Sequence, residues 1–582
     1  MKYGLKLGLI LTAAGIAASC AVPIEKTGLA LGPSETRWVE RTLSRMTLEE
    51  KVGQLIACRY AGNFFPADSE GWARLRDLIG KYKVGGMIVF GGDAYETAHL
   101  NNALQTLAAV PLLIASDLER GAGTQITGST LFPTIMGIGA SDSEELAETM
   151  GKITALEGRA LGIHVTYAPV VDVNINPDNP IINTRAIGED PAQVSRLAAA
   201  FIRGCQANGM LATAKHFPGH GDTDQDSHSL LPTIAADRER LERVELYPYR
   251  KVIEAGVQAV MVSHLNVPAL DGGSGLPATV SPAIITGVLR KELGFKGLIV
   301  TDAMEMGGIT SMFPDNEASL KALQAGIDMV LLPLEPEKVI PYLVAAARDG
   351  RLPAARIEES VRRILEAKAR LGLPENKLVD VAALPAKIGT KEHLKEAERA
   401  FEKATTLVKN EGNVLPLDKS AGRSIAVLAL SSDAGDYYAG RTFADAVRRR
   451  DPKAAVFYAD ADTGKESLDA AYSAAASADV VLCAVFSSLR AWKGSVGLNP
   501  AHLDLINNLT GGDKPVILTN FGSPYLLRGF PDVDAYLCFY RNTAQSQEIA
   551  VRAIFGEMDV TGRLPVSIPG LFPLGRGLVL KK

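Results

Sequence analysis

Lys215–Pro232, KHFPGHGDTDQDSHSLLP, holds three of the chain's eight histidines together with Asp222, Asp224 and Asp226 in one polar run. Charged groups are costly to bury unless paired, so such a loop adds little to a core and calls for a chemical explanation. Three chemistries compete. Asp222, Asp224 and Asp226 open like a calcium loop, but its sixth position is Ser227 where glycine is needed and its twelfth is Thr233 where glutamate is needed. His216 and His220 are spaced as in a zinc-binding helix, yet Pro218 and Gly219 lie between them and break the helix that spacing requires. The third chemistry is proton transfer. Asp226 and His228 flank Ser227, so an extended loop turns both side chains to one side, where the carboxylate fixes the imidazole tautomer and leaves the other ring nitrogen to exchange a proton. Spacing alone equally allows Asp226 to cap backbone amides beside a solvated His228. Asp302, in VTDAMEM, is open in the same way: a helix cap by position, or a nucleophile if a pocket lies above it.

The elements that position these residues repeat one pattern. Eight short apolar runs alternate with longer helical segments such as Ala192–Ala207 and Ala355–Leu371. The runs are Gly53–Ala57, Gly85–Phe90, Pro111–Ser116, His164–Val170, Leu211–Ala214, Ala259–Ser263, Gly297–Thr301 and Met329–Pro333. Alternation of this kind over roughly 300 residues predicts an α/β fold, an N-terminal (β/α)8 TIM-like barrel. Polar residues stand where the runs stop: Asp117 and Glu119, Asp172, Lys215 and His216, His264, and Asp302. A barrel brings all of these ends to one rim, the face that carries active sites.

The pattern breaks around 372–395, a stretch with prolines and charges that reads as a surface linker. A second series then follows: Ser424–Leu430, Ala454–Tyr458, Val480–Val485, Val516–Thr519 and Ala535–Phe539. Five strand candidates with helices between them predict a smaller open-sheet α/β three-layer sandwich. No glycine-rich nucleotide loop occurs in it. The expected domains are a leader at 1–20, a tether at 21–35, the barrel at 36–372, the linker at 373–395 and the sandwich at 396–582.

Of 582 residues 47% are hydrophobic and 22% charged, and the net charge of −5 is spread without a basic stripe, which argues against a nucleic-acid partner. Lys2 and Lys6 precede an apolar run, Leu7–Ile16, and the small residues Ala17-Ala18-Ser19 lead to Cys20. This is a signal peptide whose end resembles the lipobox of bacterial lipoproteins, with Ala17 where leucine is usual. Lipidation at Cys20 implies an exported protein held to a membrane only by its N-terminal lipid; a secreted protein with an incidental Cys20 is the alternative. Cys58, Cys205, Cys483 and Cys538 are far apart in apolar segments and are expected as buried thiols.

Several motifs carry a closer likeness. KHFPGHG with DSH downstream, NPIINTRAIGEDP (Asn179–Pro191), SHLNVPALD (Ser263–Asp271) and GLIVTDAMEM (Gly297–Met306) resemble the glycoside hydrolase family 3 β-N-acetylglucosaminidases that act on peptidoglycan fragments. MTLEEKVGQLI (Met46–Ile56) and ATTLVKNEGNVLPL (Ala404–Leu417) are similar to landmarks of that family's two domains. The resemblance implies Asp302 as nucleophile, His228 as acid/base and Asp226 as its partner. It also implies that Lys215, His216 and Arg185 hold the sugar while Asp117 binds its hydroxyls, with no cofactor and no metal. One departure stands out. Where the family shows D-x-E-G-G-x-V-x-R this chain has DLERGAGTQ (Asp117–Gln125), with Gln125 in place of a sugar-binding arginine and Arg120 out of register. The implied reaction is double displacement with retention, removing terminal GlcNAc from muropeptides or related oligosaccharides. Gly219 and Gly221 are expected to let the loop open and close. A β-glucosidase, a phosphorylase using the same dyad, and a sugar-binding protein with lapsed catalysis are the alternatives. The natural aglycone, the role of the second domain and the oligomeric state are not legible.

Overall fold

A computed structural model of the chain describes residues 31–418, 422–436, 438–487 and 497–582. The expected leader, Cys20 and most of the tether lie outside the described residues. The eight strands of the first sheet are β1 (Ile56–Gly62), β2 (Gly86–Gly92), β3 (Leu113–Ser116), β4 (Val165–Thr166), β5 (Leu211–Phe217), β6 (Ala259–Val262), β7 (Leu298–Thr301) and β8 (Val330–Leu331). Each pairs in parallel with its neighbours in the order β7-β6-β5-β4-β3-β2-β1-β8. A parallel bridge between Val300 and Met329 joins β7 to β8 and brings the sheet almost to closure. The strands are near-continuous runs of buried apolar residues, as a sheet covered on both faces requires. All eight expected runs are therefore barrel strands.

The first differs in extent. Thr47 accepts from the Glu50 N–H at 3.3 Å while its own N–H donates to the Glu50 carboxylate at 3.0 Å. This capping box starts a helix over Leu48–Gln54, which takes Gly53 and Gln54 out of the strand.

The second sheet has six strands rather than five: β9 (Thr406–Asn410), β10 (Ile425–Ser431), β11 (Ala455–Ala459), β12 (Val480–Phe486), β13 (Val516–Asn520) and β14 (Ala535–Cys538). Their order is β11-β10-β12-β13-β14-β9, all parallel except β9, which runs antiparallel to β14. Alternation of strand and helix signals parallel strands only; β9 lies outside it because its partner comes more than a hundred residues later. Leu407 bridges Leu578 near the chain's end, which covers part of the edge that β9 would expose.

The second domain packs on segments that follow β3 and β4. Met136 and Ala140, from the helix Ile135–Ser141, belong to the second sheet's apolar core. The buried Asn174 donates to the Tyr525 hydroxyl at 3.0 Å, and the Glu189 carboxylate accepts from the N–H and hydroxyl of Ser567 at 2.8 and 2.9 Å. The expected linker is held along the barrel: Asn102 exchanges two hydrogen bonds with the backbone of Val379, each 2.8 Å. His393 then reaches the buried Glu157 at 2.7 Å. Cys58, Cys205, Cys483 and Cys538 are buried free thiols.

Candidate active site

In a regular strand consecutive side chains point to opposite faces. Strand β5 breaks that rule where it matters, because its register against β6 shifts between Ala214 and Phe217. The irregularity lets the consecutive Lys215 and His216 both face one cavity. Lys215 Nζ lies 2.8 Å from Asp117 Oδ1 and 2.8 Å from Glu119 Oε1, both just past β3. Glu119 also receives Arg185, from the short 3₁₀ turn Asn183–Arg185 after β4, through two bonds of 2.8 and 3.1 Å. Burial opposes the charge on Glu119, but Arg185 and Lys215 outweigh it and hold its pKa well below the ordinary value. The same balance, with burial opposed by Asp117 and Glu119, raises the Lys215 pKa. These groups stay charged and fixed at any physiological pH.

Asp172, past β4, organises the start of the polar loop. Its carboxylate is 2.7 Å from His216 Nδ1 and accepts from the backbone N–H groups of His216 and His220 at 3.2 and 2.8 Å. The His220 ring is buried and its Nε2 meets Ser227 Oγ at 2.8 Å. Asp222 pairs with Arg240 at 2.7 Å, and Asp224 is exposed. Close packing explains the two glycines expected to serve as hinges. A Cβ at Gly221 would stand 1.8 Å from the Val173 carbonyl, and Gly219, at φ +134°, leaves only 2.7 Å to the Glu245 side chain.

The Asp226–His228 pair forms as spacing allowed, and Asp226 Oδ1 serves both open readings at once. It lies 2.7 Å from His228 Nδ1 and accepts the His228 backbone N–H at 2.9 Å. The carbonyls of Ser227 and His228 in turn accept from Gly308 and Gly307 at 3.1 and 2.7 Å. The dyad loop is thereby tied to the segment that follows β7 and carries Asp302. Asp302 is not a helix cap: the next helix is Gly307–Thr310, with Met306 at its N-cap. Its Oδ1 accepts the Ala303 N–H at 2.8 Å. Burial pushes the Asp302 pKa up, but His216, His264, the Ala303 N–H and His228 together bring it below the ordinary aspartate value. His264 is itself shifted down by burial; it lies 2.7 Å from Thr279 Oγ1 and 3.0 Å from the Ala303 carbonyl.

Asp117, Arg185, Lys215, His216, His228 and Asp302 all line one cavity of about 460 Å³. Asp226 stands behind His228. Gln125 lines the same cavity with its side-chain oxygen accepting from Gly91 N–H at 3.1 Å, and Arg120 enters it from the same loop. At the mouth Arg59 and Glu305 pair at 2.8 Å. Part of the wall comes from the second domain, including Asp436, Phe486, Ser487, Phe521, Ser523 and Tyr540. Sequence reasoning placed Glu119 and Asp172 at the rim without a role, and each proves to orient two neighbours. It gave no sign of the second-domain wall.

His220 carries a prediction. Burial lowers its pKa to about 4 from an ordinary 6.5. Below pH 6.5 the unfolded chain therefore binds a proton that the folded chain refuses until about pH 4, and stability falls as pH drops through that window. A shift of this size corresponds to about 3 kcal/mol at 1.36 kcal/mol per unit. His220→Gln is expected to remove about that much of the stability loss between pH 7 and pH 4, measured by urea unfolding. An unchanged pH slope contradicts the assignment.

A barrel whose strand ends converge on fixed ionised groups, a His–Asp dyad and a buried ionised aspartate has the architecture of a (β/α)8 enzyme. Residues 47–367 match the glycosyl hydrolase family 3 N-terminal domain and residues 405–571 its C-terminal domain. The chain belongs to glycosyl hydrolase family 3 and is a glycoside hydrolase. It is 31% identical over 553 residues to a beta-N-acetylglucosaminidase/beta-glucosidase of Cellulomonas fimi, spanning 91% of this chain and 95% of that one. Its fold matches the solved family 3 beta-N-acetylglucosaminidase from Paenibacillus sp. str. FPU-7 with a TM-score of 0.81 and 32% identity, over 90% of this chain and 99% of the other. A solved beta-glucoside phosphorylase superposes with a TM-score of 0.83 at 27% identity, over 93% and 97% of the two chains.

Proposed function

We propose that the protein is a retaining exo-β-N-acetylglucosaminidase that removes terminal GlcNAc from peptidoglycan fragments or related GlcNAc oligosaccharides. Asp302 is the nucleophile, His228 the acid/base, and Asp226 the group that fixes the His228 tautomer. Asp117, Lys215, His216 and Arg185 hold the terminal sugar. The observation that carries the reading is the His228–Asp226 contact of 2.7 Å on a loop hydrogen-bonded to the segment just past Asp302.

The steps follow from the charges. Asp302, ionised because its surroundings outweigh burial, attacks the anomeric carbon as His228 delivers a proton to the departing oxygen. His228, then neutral, takes a proton from water, which attacks the glycosyl–Asp302 ester and releases the sugar with its configuration retained. Asp226 steadies the imidazolium before the first step and after the second. Export and anchoring through a lipid on Cys20 form part of the proposal, supported by the leader's composition.

Phosphorolysis is a second reading, favoured by the likeness to a beta-glucoside phosphorylase; phosphate would then replace water at the second step. The test is turnover of p-nitrophenyl β-N-acetylglucosaminide and β-glucoside, each with and without phosphate. Preference for the N-acetylglucosaminide without phosphate dependence is expected. Preference for the glucoside overturns the substrate, and a strong phosphate requirement overturns hydrolysis.

A further inference from the structure

Two serines of the second domain stand in the cavity wall with hydroxyls unpaired among the described residues. Ser487 follows β12 and Ser523 lies three residues past β13. Both are buried, at 9% and 4% exposure, both line the cavity, and neither hydroxyl has a hydrogen-bond partner among the described residues. Ser523 occupies the N-cap of the 3₁₀ helix Pro524–Gly529, where a serine hydroxyl usually accepts a backbone N–H, and makes no such bond. Its backbone is nonetheless fixed, with the Ser523 carbonyl accepting from Asn520 Nδ2 at 2.6 Å. A Cβ on Gly522 would meet Ser487 Oγ at 2.3 Å, so Ser487 and the 522–523 turn form one patch.

Ser487, at the end of β12, also sits where topology directs a ligand. The chain runs from β10 outward to β11, then returns to the other side of β10 as β12. In an open α/β sheet, ligands bind outside the carboxyl ends of the strands at such a reversal. Here that crevice opens into the cavity that holds Asp302 and His228.

We infer that Ser487 and Ser523 bind hydroxyl or acetamido groups of the sugar next to the terminal one, so that the second domain supplies a second sugar subsite. The inference rests on the glycosidase reading above and extends it to the leaving group. A buried hydroxyl without a partner is unfavourable to the free protein, and its removal strands no other group. Alanine at either position should therefore leave stability unchanged or raised while binding suffers, a combination that a structural serine does not give.

The test compares Ser487→Ala, Ser523→Ala and the double variant on p-nitrophenyl β-N-acetylglucosaminide and on N,N′-diacetylchitobiose, with thermal unfolding alongside. The expected result is a tenfold or greater loss of kcat/KM on the disaccharide, carried by KM, with the aryl glycoside within twofold and Tm equal or higher. Equal losses on both substrates, no loss on either, or a lowered Tm would overturn the subsite. If the wild type instead cleaves glucosides, the comparison runs with p-nitrophenyl β-glucoside and cellobiose. Failure of the substrate reading is thus seen in the wild type, and failure of the subsite in the variants.

Discussion

Asp302→Ala is expected to lower kcat on p-nitrophenyl β-N-acetylglucosaminide by about 10⁴-fold or more, with KM changed far less. The magnitude follows from the role: without the carboxylate no glycosyl–enzyme bond forms, and the remaining groups only bind the sugar and donate a proton. The fold should tolerate the change, because the Asp302 side chain accepts the N–H of the adjacent Ala303, a bond local to its own turn. The variant supplies its own control. Azide can enter the space left by the carboxylate and attack the anomeric carbon directly, so it should restore turnover and give the α-glycosyl azide, inverted relative to substrate. Loss of activity with no azide rescue, or rescue giving the β-azide, argues against Asp302 as nucleophile. Full activity in Asp302→Ala eliminates it.

His228→Ala should separate substrates by leaving group. A proton donor matters most when the departing oxygen is a poor leaving group, so kcat/KM on N,N′-diacetylchitobiose is expected to fall by about 10²–10⁴-fold. On the 2,4-dinitrophenyl glycoside, whose phenolate leaves unaided, kcat/KM should stay within about tenfold. Yet kcat on that substrate should drop, because the second step loses its base and the glycosyl–enzyme accumulates. Azide, which needs no base, should relieve that block. A uniform loss across leaving groups would mean that His228 holds the substrate rather than moving a proton. Asp226→Asn should follow the same pattern more weakly, since it disturbs the tautomer without removing the ring.

Much of the scaffold was legible because barrel strands, buried on both faces, are written as apolar runs, and those runs end in polar residues at a shared rim. That is why Lys215, His216 and Asp302 could be placed together from positions almost ninety residues apart. Two element boundaries were not legible. The boundary of β1 depended on a capping box between Thr47 and Glu50, and β9 on an antiparallel partner outside the strand–helix rhythm. The roles of Glu119 and Asp172 required knowing which groups face them, and for Lys215 and His216 that is set by the irregularity in β5. Ser487 and Ser523 belong to a wall made by docking one sheet over the other's rim, and neighbouring residues in sequence carry no trace of that contact. Gly219 and Gly221 also admit close packing that a side chain would block, a need that composition does not announce.

The most direct test is to trap the glycosyl–enzyme. Incubation with 5-fluoro-β-N-acetylglucosaminyl fluoride slows both steps but keeps a good leaving group for the first, so an intermediate should accumulate. Proteolysis and mass spectrometry should then find one sugar esterified to the peptide containing Asp302, and His228→Ala should prolong the life of that adduct. A label on any other residue, or continued turnover of the reagent with no label at all, would contradict Asp302 as the residue that carries the sugar.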